Sequence, residues 1–226
     1  MTITTAIPET FPVETYDFEM DHGPLATNAR LARKNRAVLN RYGTTAIEFI
    51  GAPGSGKTTL IARLVQKLKP MMELAVFNGD AARRSNMYQP AALGVPVVPI
   101  ATHNHLHLDA SSVGKALGMV DLDRTMLILV ENPVSPVGPT DLPLGCKARV
   151  IVLSVTDSFV AKEHSHIFLG ASLVVINKID LAPDLCASLQ PLLRDIQNIN
   201  PDIQVIPASC TMGVAVNDVA AAILAL

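Results

Sequence analysis

The chain has 226 residues, of which 49% are hydrophobic and 17% charged, and its formal net charge is -2. This composition is sufficient to bury a core and excludes a disordered chain, while the near-neutral charge excludes an overall basic surface for nucleic acid. No apolar run reaches the roughly 18 residues that a membrane span needs. The acidic start does not resemble a signal peptide, and the three cysteines form no C-x-x-C pair. We therefore expect a cytoplasmic protein that binds neither nucleic acid nor a membrane.

The chain divides into three predicted segments. Residues 1–22 carry five acidic side chains and no Lys or Arg, without a sustained hydrophobic period, so we predict an acidic flexible arm. Residues 23–43 are predicted to hold an N-terminal helix over 25–41, because apolar residues recur on one side of it and Gly43 is a suitable stop. Residues 44–226 are predicted to form one domain without internal repeats.

Within the predicted domain, short apolar runs alternate with helical stretches. The predicted strands are 46–50, 74–78, 95–100, 126–131, 150–154, 173–177 and 204–207, and the predicted helices are 57–69, 108–118, 185–198 and 214–226. Several strands are continuously apolar, as in a parallel sheet that is covered by helices on both faces. The sequence therefore predicts an α/β fold, with a mostly parallel sheet flanked by helices and a helical N-terminal extension.

The sequence at 51–58, Gly-Ala-Pro-Gly-Ser-Gly-Lys-Thr, matches the phosphate-binding pattern G-x-x-x-x-G-K-[ST] between a predicted strand and a predicted helix. Its glycines let the backbone curl so that N–H groups point at phosphates, and the helix N-terminus adds partial positive charge. We predict that Lys57 contacts the β- and γ-phosphates as part of the catalytic set and that Thr58 ligates Mg²⁺. The predicted phosphate-site residues of this P-loop NTPase domain are Gly51, Pro53, Gly54, Ser55, Gly56, Lys57, Thr58 and Thr59.

A second motif, Asn-Lys-Ile-Asp at 177–180, follows an apolar strand at the end where ligands of α/β sheets lie. It resembles the N-K-x-D box of GTPases, in which the carboxylate, here Asp180, accepts hydrogen bonds from N1–H and the 2-amino group of guanine. Adenine lacks both donors, and a site that pairs a polar group rejects an analogue without it by about 10⁴-fold or more. The alternative is a polar strand end that caps the next helix.

Four further residues are predicted to help bind the base. Asn177 and Lys178 would support the loops and cover the base. Ser209 and Cys210 follow a later strand, where GTPases carry a second base-binding loop. These residues complete the predicted guanine nucleotide site.

Acidic residues follow two other predicted strands. Asp80 comes after the strand 74–78, and Glu131 ends the strand 126–131. A carboxylate at either position could hold the Mg²⁺ shell or orient the attacking water, so both are candidate catalytic residues. We assign Asp80 to Mg²⁺ and Glu131 to the switch or the attacking water. The alternative for each is an acid that caps a loop.

Histidines cluster at 103–107. In an extended segment His103, His105 and His107 share one face, whereas in a helix His103 and His107 are neighbours. Either geometry could present two imidazoles to Ni²⁺ or Zn²⁺. The alternative is a polar loop with solvated histidines.

From about Leu31 onward, these features resemble the hydrogenase nickel-incorporation GTPases of the HypB family. The matching segments occur in the family's order and approximate spacing, and they are Arg33-Lys34-Asn35, 51–58, Gly79-Asp80, 94–99, Thr102, 107–110, Glu131-Asn132, 177–180 and 200–202. The resemblance implies a GTPase of the signal-recognition/MinD (SIMIBI) type that dimerises on nucleotide. It also implies GTP or GDP with Mg²⁺, a HypA-like nickel carrier as partner, and nickel loading into a hydrogenase or related precursor subunit.

The chain departs from the family at its metal positions. Leu106 stands where the family has the cysteine of a Cys-His pair, so that only His107 of the pair is present, and the second family cysteine aligns with Gly138. Metal affinity at such a site depends on thiolates, so we expect the family's site to be weak or absent here. The clustered histidines are our hypothesis for a nitrogen-only replacement. Asn86 also replaces a family acid.

The sequence also bears on three other functions. A regulatory or scaffold module would bind guanine nucleotide without metal handling, as the altered metal positions favour. A urease-accessory-like GTPase would carry a Cys-Pro-His metal motif, which this sequence lacks. A P-loop kinase is disfavoured because the box at 177–180 specifies the base and no arginine-rich lid is evident.

Overall fold

The computed structural model describes residues 23–79, 91–101, 107–133, 142–157, 160–183 and 188–226; the predicted acidic arm lies outside them. The helices are α1 (Pro24–Tyr42), α2 (Lys57–Leu68), α3 (Ala110–Leu117), α4 (Val160–Glu163), α5 (His166–Leu169), α6 (Leu189–Ile199) and α7 (Val216–Ala225), and a 3₁₀ turn spans Ile179–Leu181. The strands are β1 (Thr45–Ile50), β2 (Leu74–Asn78), β3 (Val97–Pro99), β4 (Leu127–Glu131), β5 (Ala148–Ser154), β6 (Leu173–Asn177) and β7 (Gln204–Pro207). Within these ranges, no helix is both long and apolar enough to cross a bilayer.

The seven strands form one sheet in the order β3-β2-β4-β1-β5-β6-β7, and every neighbouring pair is parallel. β1, which leads into the predicted phosphate loop, is therefore central, between β4 and β5. The carboxyl ends of the strands share one edge, and the predicted motifs after β1, β4 and β6 all lie there.

The sheet is buried on both faces. Strands β2, β4 and β6 are buried at every residue, which matches their continuous apolar sequences. One face packs on α2 and α7, and the opposite face packs on α1 and α3 at one end and on α4, α5 and α6 at the other. The predicted α/β fold with a mostly parallel sheet flanked by helices is confirmed.

Several element boundaries differ from the predicted ones. α3 begins at Ala110 rather than at 108, because Asp109 caps it by accepting the N–H of Ser112 at 2.7 Å. α7 begins at Val216 rather than at 214, because Val214 pairs with Ser209 in an isolated antiparallel bridge.

Other differences follow from prolines and from length. The predicted strand 95–100 is shortened to β3, an edge strand that follows Pro96 and ends at Pro99, two residues that have no N–H to donate to a ladder. α6 begins at 189, and part of its predicted start lies outside the described residues. The helices α4 and α5 were not predicted, because four residues are too few to show a helical period.

Two buried asparagines of helix α1 form hydrogen bonds to the backbone of the domain. Asn35 donates from Nδ2 to the backbone oxygens of Ala110 at 2.7 Å and Leu144 at 3.0 Å. Asn28 accepts the N–H of Ala110 at 2.8 Å and donates to the oxygen of Pro143 at 2.9 Å. Because these amides satisfy backbone groups that would otherwise be buried unpaired, the orientation of α1 on the domain is well specified.

Candidate nucleotide-binding site

The phosphate loop leaves the end of β1 in a conformation that depends on glycine. Gly54 and Gly56 have φ angles of 84° and 100°. A Cβ on Gly56 would also lie 2.1 Å from Nδ2 of Asn177, and a Cβ on Gly51 would lie 2.1 Å from the oxygen of Val152. The loop is therefore shaped by close backbone approaches as well as by dihedral angles.

Lys57 and Ser55 both lie inside the loop. The Lys57 side chain is buried and donates from Nζ to the oxygens of Gly51 at 2.7 Å and Ala52 at 3.2 Å. Ser55 Oγ is buried and has no hydrogen-bond partner among the described residues. An orphaned hydroxyl beside a buried ammonium and curled amides fits the oxygens of a bound phosphate chain.

Thr58 lies beside Glu131. Its hydroxyl donates to Oε1 of Glu131 at 2.5 Å, and the Glu131 side chain is buried. The N–H of Gly79 donates to the backbone oxygen of Glu131 at 2.9 Å, so the end of β2 also lies at this point. Asp80, the predicted Mg²⁺ ligand that follows Gly79, lies outside the described residues. The hydroxyl and carboxylate oxygens that are described suit the shell of a hard cation such as Mg²⁺.

Asn177 joins the phosphate loop to the predicted second base loop. Its Nδ2 donates to the backbone oxygen of Ser55 at 2.9 Å, and its Oδ1 accepts the N–H of Cys210 at 3.0 Å. The side chain is buried, so both bonds are shielded from water. One amide thus fixes the distance between the two halves of the site.

The base-reading candidates lie around this amide. Lys178 has a left-handed backbone with φ 65°, which turns the chain so that Asp180 stands exposed in the 3₁₀ turn. The N–H of Ile179 donates to the oxygen of Ala208 at 3.2 Å, which ties this turn to the second loop. Burial raises the pKa of the Cys210 thiol to about 11, Arg63 lowers it and the charge of Asp180 raises it further. Cys210 therefore stays a neutral thiol at neutral pH.

Sequence reasoning missed Arg63 as a support of the second loop. Its Nε donates to the oxygen of Cys210 at 2.9 Å and an Nη donates to the oxygen of Thr211 at 3.0 Å. Within the loop, the buried Ser209 hydroxyl accepts the N–H of Met212 at 3.1 Å. The sequence gives no signal for such a contact of a half-buried helix arginine, since its partners are about 147 residues away.

The predicted metal site is described only at His107. His107 and Asp109 line a cavity of about 550 Å³ at the start of α1. His103 and His105, together with the family positions Leu106 and Gly138, lie outside the described residues. Within the described part of the chain, no group of three or more His, Cys, Asp or Glu side chains is arranged to hold a metal ion.

A buried polar chain, also missed from sequence, lies behind the site. Arg149 pairs with Glu48 at 2.9 Å, and Glu48 accepts from Nδ2 of Asn132 at 2.6 Å. The Asn132 Oδ1 in turn accepts the N–H of Leu108 at 3.1 Å. The chain connects the centre of the sheet to the residue next to His107.

A glycine-rich phosphate loop on a central parallel strand, with an N-K-x-D box joined to it, defines a P-loop GTPase fold. No protein-family model matches the chain. It is 40% identical over 183 residues to the probable hydrogenase maturation factor HypB of Methanocaldococcus jannaschii, covering 80% of this chain and 83% of that protein. It is 33% identical over 196 residues to HypB of Escherichia coli (strain K12), covering 86% and 68%. The chain belongs to the HypB family of hydrogenase maturation factors, as its sequence predicts.

Solved structures agree with this assignment. The crystal structure of HypB from Archaeoglobus fulgidus matches with a TM-score of 0.83 and 32% identity, covering 89% of this chain and 98% of that one. The crystal structure of HypB from Helicobacter pylori in complex with nickel matches with a TM-score of 0.79, over 88% of this chain and 94% of that one. At 22% identity, the second match supports the fold alone.

Proposed function

We propose that the protein binds GTP with Mg²⁺, hydrolyses it slowly to GDP and phosphate, and uses this cycle to assist nickel insertion into a hydrogenase or a related metalloenzyme. The observation that carries the nucleotide part is the position of Asn177, whose amide bonds both Ser55 and Cys210. This contact supports the proposal that the phosphate loop and a base-reading carboxylate belong to one site. Membership of the HypB family supports the maturation role.

Each part of the nucleotide has a proposed partner. The loop amides and Lys57 hold the β- and γ-phosphates, and the orphaned Ser55 hydroxyl adds a further hydrogen bond. Thr58 and Asp80 hold Mg²⁺. Glu131 either orients the attacking water or acts as the switch residue. Asp180 reads guanine, with Asn177, Lys178, Ser209 and Cys210 shaping the base pocket.

Nickel is the proposed cargo. His107, with His103 and His105, forms the proposed transient nitrogen site, because imidazole suits Ni²⁺ and the family thiolates are replaced at 106 and 138. A HypA-like carrier delivers the metal and a precursor subunit receives it. A nucleotide-dependent homodimer in the cytoplasm is the proposed working form, since GTP binding and GDP release can then alternate two states.

A second candidate function is favoured by the altered metal positions. In it, the protein binds guanine nucleotide and regulates or holds a partner, without handling metal. Leu106 and Gly138 at the two family cysteine positions favour it, because a site without thiolates holds nickel or zinc less tightly.

The two functions are separated by GTP turnover measured beside a Ni²⁺ titration of the nucleotide-free, GDP-bound and GTP-analogue-bound protein. Turnover together with nickel binding that depends on the nucleotide supports the maturation GTPase. Tight nucleotide binding with neither supports the regulatory module. Equal affinity for ATP and GTP contradicts both, because each requires the guanine-reading carboxylate.

A further inference from the structure

Glu131 and Asn132 are adjacent at the end of β4, and their side chains contact two different parts of the site. The carboxylate of Glu131 accepts the hydroxyl of Thr58 at 2.5 Å, whereas the amide oxygen of Asn132 accepts the N–H of Leu108 at 3.1 Å. The two residues are 3% and 2% exposed, so water cannot readily replace either contact. A displacement of this strand end relative to the phosphate loop must therefore also move the partner of Leu108.

The orientation of the Asn132 amide is fixed by Glu48 and Arg149 on the side away from Leu108. Its Nδ2 donates to Glu48 at 2.6 Å, and Glu48 is held by Arg149 at 2.9 Å. A flipped amide would place its oxygen against the Glu48 carboxylate, with no proton between them. The backbone N–H of Asn132 also donates to the oxygen of Phe49 at 3.0 Å. The amide oxygen is therefore held toward Leu108.

The segment that begins at His107 is held at two points. Leu108 is buried against Gly79, where a Cβ would lie 2.9 Å from Leu108 Cδ2, and its N–H is held by Asn132. Two residues later, the N–H of Ala110 is held by Asn28 on α1. The first of these hydrogen bonds comes from Asn132 at the end of β4, and the second comes from Asn28 on α1.

We propose that Asn132 is a positioning residue that transmits the nucleotide state of the P-loop to residues 107–110. The inference rests on the proposed nucleotide binding. Binding of a triphosphate with Mg²⁺ at Thr58 changes the charge that acts on the Glu131 carboxylate, and this change reaches Leu108 through one peptide bond and one hydrogen bond. Asn28 on α1 holds Ala110 in place while Asn132 shifts the N–H of Leu108. Residues 107–110 therefore rotate about Ala110, and His107 changes its position.

The test is hydrogen exchange of the full-length protein in the peptide covering residues 107–113, with and without guanosine 5′-(β,γ-imido)triphosphate and Mg²⁺. In the unsubstituted protein we expect the exchange rate to differ at least about threefold between the two states. Asn132→Ala should exchange at one rate in both states while still binding the nucleotide analogue. A residue with a merely structural role would shift both states equally and leave the difference intact.

Two further variants sharpen the test. Asn200→Ala is the matched control, because Asn200 donates to the oxygen of Phe168 at 3.0 Å, away from β4, and its loss should preserve the difference. The double variant Glu48→Gln with Asn132→Asp keeps a side-chain oxygen at 132 that accepts the N–H of Leu108. The hydrogen bond between positions 48 and 132 is also kept, but its direction is reversed, because the amide at 48 now donates to the carboxylate at 132. This double variant should restore the nucleotide-dependent difference.

The outcomes separate this inference from the proposed function. If calorimetry shows no binding of the analogue, both fail together. If the analogue binds but the exchange difference is absent in the unsubstituted protein, or persists in Asn132→Ala, only the positioning role is overturned. The measurement on the unsubstituted protein decides the matter even if Asn132→Ala does not fold.

Discussion

The side chain of Asn177 lies 2.9 Å from the backbone oxygen of Ser55, across 122 residues of sequence. The same amide accepts the N–H of Cys210, so the phosphate loop and the second base loop share one support. This arrangement makes the two halves of the candidate site interdependent.

Asn177→Ala should weaken GTP and GDP binding by about 30-fold or more, because it leaves two buried backbone groups without partners at about 1–3 kcal/mol each. Calorimetric titration with each nucleotide measures the change. Asn200→Ala removes a side-chain amide elsewhere and should leave both affinities unaltered. Unchanged nucleotide affinity in Asn177→Ala would show that the two loops are held by other contacts.

Asp180→Asn should weaken GTP binding by about 10²-fold or more, because the amide offers a donor where guanine offers one too. The same variant should gain affinity for xanthosine triphosphate, whose 2-oxo group accepts that donor. Competition assays with both nucleotides give the ratio. Asp195→Asn makes the same charge change on α6 and should not alter the ratio of the affinities for GTP and xanthosine triphosphate. If Asp180→Asn also left this ratio unaltered, base reading by the Asp180 carboxylate would be ruled out.

Local sequence patterns predict the fold and the motifs of the site, but they do not predict contacts between residues that are far apart in the sequence. The P-loop is predicted because its glycines and lysine are adjacent in sequence, and the strands because their apolar runs are continuous. The supporting roles of Arg63 and Asn132 are not predicted, since each contacts a backbone atom that only the folded chain brings near. The predicted start of α3 is two residues too early, because the apolar pattern does not distinguish the capping residue Asp109 from the first turn of the helix.

The buried cysteines predict a loss of stability at alkaline pH. Burial raises the pKa of Cys210 from 9.0 to about 11, with Asp180 adding to the shift and Arg63 opposing it, and burial also raises the pKa of Cys146. The folded protein keeps these protons after the unfolded chain has released them. The contribution of the Cys210 thiol to stability is therefore complete below pH 9.0 and is lost as the pH rises through about 11.

Urea denaturation under reducing conditions, repeated across this pH range, measures the effect. Cys210→Ser should lose stability less steeply than the unsubstituted protein, because a serine hydroxyl does not titrate there. Lysines and tyrosines contribute equally to both curves, so the difference between the slopes isolates the thiol. Parallel curves would contradict a raised pKa at Cys210.

Arg63→Ala should weaken GTP and GDP binding by roughly tenfold, because about 1 kcal/mol or more is lost when the loop oxygens of Cys210 and Thr211 lose their donors. Lys67→Ala is the matched control, since it removes an exposed cation from the same helix. Arg63→Lys should recover part of the affinity, because an ammonium can reach one of the two oxygens.

Arg63 supports the base half of the site, so its effect should depend on the presence of the base. Inorganic tripolyphosphate, which occupies only the phosphate loop, should bind Arg63→Ala and the unsubstituted protein with equal affinity. The turnover rate at saturating GTP should also be unaltered, because the contacts of Arg63 lie in the second base loop and on Gln66. If Arg63→Ala weakened tripolyphosphate binding as much as GTP binding, the defect would instead lie in helix α2 or the phosphate loop.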